Sequence, residues 1–214
     1  MMFDRLGHAL VDTVLMVGIS ALFALAAGIP LAVFLVLSTP GGLIHAPRFN
    51  RVLGALINGF RATPFIVLLV ALLPFTRLVT GTTIGVWAAI VPLSISATPF
   101  FARIAEVSLR EVDSGLIEAA QAIGCRRWHI VRHVLLPEAL PGIVGGFTIT
   151  IVSMIGASAM AGAVGAGGLG DMAIRYGYQR FDTTVMAVVI AVLVALVCLV
   201  QFLGDGVVRR LRAR

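Results

Sequence analysis

The chain has 214 residues, of which 59% are hydrophobic and 12% charged, about half the ~25% charged share usual in soluble domains, and its mean hydropathy of +1.05 excludes a soluble globular enzyme and indicates an integral membrane protein. Net charge is +6 and the sequence pI is near 10.9. All sixteen basic residues are Arg, so no Gly-Lys phosphate loop exists in this polypeptide, and their clustering beside apolar runs indicates membrane orientation rather than nucleic-acid binding.

Five apolar stretches follow along the chain, about Thr13–Leu37, Leu53–Leu73, Ile84–Phe101, Ile143–Val164 and Thr184–Leu203, each near the ~20 residues that a spanning helix needs. The expected fold class is an all-α integral membrane protein, one transmembrane domain over residues 1–214, with no soluble domain appended. Arg5 ahead of an apolar run and Ala24-Leu25-Ala26 imitate a signal peptide, but the run continues to Leu37, and Asp4 and Asp12 spoil a basic leader. Gly28 and Pro30 predict a tilt or kink in the first span. Arg61 sits with Pro64 near the start of the second, where an arginine is costly unless it snorkels or pairs, and Glu138 is a candidate partner. In the third, Ser94, Ser96 and Thr98 accompany Pro92 and Pro99, so their hydroxyls can satisfy carbonyls that proline frees.

The one long polar insert, about residues 105–136, contains a short amphipathic helix. Leu116, Ala120 and Ile123 share a face, Asp113 or Ser114 can cap the start, Glu118 in the first turn suits the helix dipole, and Gly124 is a natural stop. From Gly115 to Ile123 such a helix is only ~13 Å long, a surface peg rather than a span. His129 and His133 share a helical face at i and i+4, but Ile130 stands where a zincin needs Glu and no acidic or Cys ligand lies in the segment, so no metal is expected. His8 and His45 are isolated. Gly142 and Gly146 form a Gly-x-x-x-Gly packing surface at the start of the fourth span.

The run from Gly162 to Gly170 satisfies Gly-x-Gly-x-x-Gly, yet it closes a membrane span instead of opening a soluble βαβ unit, so its small residues either let helices approach closely or let backbone line a cavity, and no cofactor is expected in this chain. Cys125 and Cys198 are far apart and suggest neither a disulfide nor a metal site. No nucleophile triad or carboxylate pair inside the spans suggests catalysis. With the N-terminus outside, twelve arginines fall on the inner face and four on the outer, which makes the polar insert and the C-terminal tail cytoplasmic.

Glu118-Ala119-Ala120, Gly124 four residues after the second Ala, and Val134-Leu135-Leu136-Pro137 beyond it resemble the EAA loop of bacterial ABC importer permeases, with Val134 in place of the family's Ile. Arg61-Ala-Thr-Pro64-Phe65, Leu135 to Pro141, and the glycine run followed by Tyr176-Gly-Tyr178 extend the resemblance over almost the whole chain. Together they look like the permease subunit of methionine ABC importers. The resemblance implies five spans per subunit in a type I importer fold, a homodimer in the bacterial inner membrane, two separate ATPase subunits that hold ATP and Mg, and an extracytoplasmic substrate-binding protein.

It also implies that Leu116, Glu118, Ala119, Ala120, Ile123 and Gly124 seat in a cleft of the ATPase. In a symmetric dimer, a residue on the axis meets its own copy. Met160 in the small-residue run Ser158–Ala163, with Ser158 beside it and Arg61 early in the second span, are the candidate gate and translocation-path residues. The alternatives are a permease for another amino acid or small osmolyte, or an ion-driven secondary transporter, against which the unequal spans and the scarcity of mid-membrane acids count.

Overall fold

The computed structural model describes residues 2–39 and 46–213, so His45 and Arg214 lie outside it. The described residues form helices and turns, with no strand among them. Helix α1 (Met2–Leu37) runs unbroken through Pro30, reaching well before the apolar run itself. Then come α2 (Pro47–Ala62), α3 (Phe65–Ala71), α4 (Leu73–Thr80), and α5 (Val86–Arg110). The polar insert holds α6 (Ser114–Ala122). Next, α7 (Arg127–Ile130), a π-helical turn (Val131–Leu135) and α8 (Leu136–Ala163) form one 37-residue rod, and α9 (Gly168–Met172), a second π turn (Ala173–Tyr178) and α10 (Thr183–Arg212) end the chain.

Among the described residues four helices are long and apolar enough to cross a membrane, within Asp4–Leu37, Val86–Arg110, Arg127–Ala163 and Thr183–Arg212. The second apolar stretch, expected as a span over Leu53–Leu73 with Pro64 near its start, is a bent pair of helices. It breaks at Thr63-Pro64, and α2 and α3 meet at 104°. Proline cannot donate the bond that would continue α2 and its ring pushes the preceding residue out of the α region, and Thr63 accordingly sits at φ −78°, ψ 124°.

Helices α1, α5 and α8 form the body. At its centre Met16, Ala21 and Ala24 of α1 pack with Leu93 and Ala97 of α5 and Met154 and Ile155 of α8. Toward one end Ala32, Phe101 and Leu109 pack with Val131, Leu135 and Ile143, and toward the other Ala9 packs with Leu169, Met172 and Val189. In lipid these contacts stabilise through van der Waals packing more than water exclusion, so small residues at crossings matter. A Cβ on Gly142 would stand 2.7 Å from Ser108 Oγ, and one on Gly146 would strike Ile104, so this glycine pair brings α8 against α5 as its spacing predicts.

The proline carbonyls are handled differently from expectation. Thr98 Oγ1 donates to the Ser94 carbonyl at 2.7 Å, not to that of Ile95, which Pro99 leaves without its usual donor. Ser20 Oγ, from α1, donates to the Ile90 carbonyl of α5 at 3.3 Å.

Candidate functional site

Helix α6 is built by local chemistry at both ends. The Asp113 carboxylate accepts from Gly115 N–H at 2.8 Å, which satisfies one of the donors that a helix start leaves free. At the other end Gly124 adopts φ +83°, Cys125 N–H donates to the Ala120 carbonyl at 3.0 Å and Gly124 N–H to that of Gln121 at 2.9 Å, the paired bonds of a Schellman stop. Because the helix begins at Ser114, Glu118 falls in its second turn, and the cap Asp113 rather than Glu118 faces the positive end of the dipole. The apolar face is divided: Ala120 is buried, whereas Leu116 is 44% and Ile123 83% exposed. Glu118, Ala119 and Gly124 are also exposed. An apolar residue held open at the tip of a capped, glycine-stopped peg is suited to entering a cleft in another protein.

Glu106 escaped the sequence reading. Its side chain is 3% exposed, accepts from Arg103 Nη1 at 2.6 Å, and takes Arg110 Nε and Nη2 at 2.9 and 2.7 Å. Stripping a carboxylate of two arginines in such a setting costs about 2 kcal/mol or more, so this clamp stiffens the end of α5 from which the insert departs. Its i−3 and i+4 arginines were the available signal.

The far end of α8 is set by close backbone contact. A Cβ on Gly170 would collide with the Ala159 backbone, and one on Gly162 would stand 2.7 Å from the Gly170 carbonyl carbon, so the glycine run packs α9 onto α8. Thr13 ties α1 to this crossing, donating to the Ala9 carbonyl at 3.0 Å and accepting Leu169 N–H at 2.9 Å.

Ser158 and Met160 point opposite ways. Ser158 is buried and donates to the Ile155 carbonyl of its own helix at 2.7 Å. Met160 is 53% exposed. With Ile149, Ser153 and Gly156, all open, Met160 forms a stripe at helical spacing that none of the described elements covers.

Arg61 is the penultimate residue of α2, exposed and two residues before the break at Thr63-Pro64. Its guanidinium lies 6.0 Å from the centroid of Phe100, a cation–π distance, and the described residues show no ion pair between it and Glu138. It lines a half-open cavity of about 290 Å³ between the α2–α3 break, α5 and α8. His129 and His133 stack on each other at 5.9 Å, on the exposed side of the rod.

A family model described as "binding-protein-dependent transport system inner membrane component" matches residues 28–213. A probable D-methionine transport system permease protein of Vibrio cholerae is 51% identical over 99% of this chain and 94% of its own length. The corresponding Haemophilus influenzae protein is 42% identical over 100% of both chains. A methionine import system permease protein of Bacillus subtilis is 41% identical, covering 80% of this chain and 77% of its own. Among solved structures, an inward-facing MetNI methionine ABC transporter contains a chain 48% identical to this one, with a TM-score of 0.97 over 98% of this chain and 97% of that one. An amino-acid ABC transporter, 22% identical with a TM-score of 0.74, shares the fold.

Proposed function

The chain belongs to the family of binding-protein-dependent transport system inner membrane components, and from that premise we propose that the cargo of this ABC importer permease is methionine. It is a multi-pass transport subunit, not an enzyme. Support for the cargo comes from the relatives, whose names specify methionine at 51% and 42% identity over nearly their full lengths. Two copies form the path and two ATPase subunits, holding ATP and Mg, drive it. An extracytoplasmic binding protein delivers the amino acid, and membrane lipid surrounds the outer helices.

The single observation that carries the mechanism is α6, capped by Asp113, stopped at Gly124, and exposing Ile123 at its tip. ATP-driven closure of the ATPase pair displaces α6, and its differential contacts in the two states move the permease between inward-facing and outward-facing forms. Leu116, Glu118, Ala119 and Ile123 form the contact, Ala120 packs beneath them, and Gly124 sets the exit. Met160, on the uncovered stripe of α8, meets its own copy at the gate; Ser158, turned inward, holds the helix end instead. The N-terminus lies outside and α6 and the tail lie in the cytoplasm.

Proteoliposomes containing the permease, its ATPase and its binding protein should accumulate radiolabelled methionine only with ATP and Mg on the ATPase side. Uptake without the ATPase, driven by an ion gradient, would overturn the ATP-driven reading.

A further inference from the structure

We propose that the cavity at the α2–α3 break is a site for the cargo within the membrane, and that Arg61 receives its carboxylate. The inference deepens the importer reading and rests on it. Arg61 stands at the discontinuity of a span, where transporter folds repeatedly place cargo because irregular backbone is tolerated only around a cavity. Arg61 is exposed, so its guanidinium either snorkels or is open to a counter-charge that enters the cavity. The described residues offer it the Phe100 face and no carboxylate. An arginine fork matches a carboxylate in two parallel hydrogen bonds, which makes an amino acid a better fit than a neutral osmolyte.

The rest of the cavity is divided by chemistry. The hydroxyls of Thr63, Ser96 and Ser153 lie around it, positions that suit the ammonium end. Phe65 and Met154 line it too, and a thioether packs favourably against both an aromatic ring and another methionine. About 290 Å³ is near the lower limit of small-molecule pockets and accommodates one amino acid.

Placement along the path supports the same conclusion. Ser153 of the cavity and Met160 share the uncovered stripe of α8, seven residues and so about 10 Å apart. Cargo passing the gate therefore meets Arg61 about two helical turns later. The site is transient, and selection between cargoes already made by a binding protein is refined here by charge.

A diazirine analogue of methionine, photolysed in the complete complex reconstituted with its ATPase and binding protein, tests this. Adducts are expected on peptides spanning residues 60–65, 96–100 and 150–157, protected by excess methionine but not by methioninamide. Arg61→Gln should lower labelling about tenfold and Arg61→Lys less, with co-elution of permease and ATPase showing that both variants assemble. Methionine uptake by the wild type without adducts in these peptides, or adducts that Arg61→Gln leaves undiminished, would overturn the site alone. Absence of methionine uptake would overturn the cargo assignment, and the site with it.

Discussion

Met160 is the one long side chain in the run Ser158–Ala163, and it stands on the open side of α8 while its neighbour Ser158 is sealed against the body. Methionine is unbranched and repacks readily, so a facing pair can close an apolar constriction in one state and fold aside in the other without breaking polar bonds. With Cys125 and Cys198 replaced, Met160→Cys should cross-link between subunits in the resting complex, and the bond should abolish uptake. No cross-link in any nucleotide state, together with normal transport by Met160→Ala, would place the gate elsewhere. At the same scale Glu106 illustrates a different economy, since one buried carboxylate holds two arginines whose heads remain half exposed. The pair differ in what composition can reveal. Met160 stands out among small residues, whereas Glu106 is one of several charges near the insert, and only its neighbours three and four residues away betray that it is buried.

Helix α6 was legible because its ends are written locally: Asp113 two residues before Gly115, and a glycine where the chain must take positive φ. Leucine at Gly124 would have to adopt the left-handed conformation at a cost of roughly 1–2 kcal/mol, comparable to losing the stop. In the reconstituted system Gly124→Leu and Glu118→Lys should each weaken co-purification with the ATPase or leave ATP hydrolysis running with uptake reduced several-fold. Normal uptake by both would reduce α6 to a connector. The break between α2 and α3 was harder to foresee. Pro64 marked the place, but an apolar count averages over it, and α2 carries Arg48, Asn50, Arg51, Asn58 and Arg61 among its apolar residues. Of the uncovered stripe of α8 only Met160 was legible, from its bulk among small residues. That helix is apolar all round, and in such a helix composition does not distinguish a face packed within the protomer from one left for a second copy.

For the whole molecule, orientation follows from charge. Arg209, Arg210 and Arg212 cluster at the end of α10 and Arg126, Arg127 and Arg132 beside α6, and the cytoplasmic placement proposed for both rests on the positive-inside rule. A reporter fused after Arg214 should be active only as a cytoplasmic fusion; activity of a periplasmic reporter there would reverse the membrane orientation and remove α6 from reach of any ATPase. The continuity of residues Arg127–Ala163 has a mechanical consequence. From Arg127, just past the peg, to Met160 the rod is about 50 Å long, with its only change of winding at Val131–Leu135. It can act as a lever arm: pivoting by about 5° at the foot displaces the tip by about 4 Å, the width of a methionine side chain, so under the proposed coupling a small rotation beside the peg would be enough to part the proposed Met160 constriction.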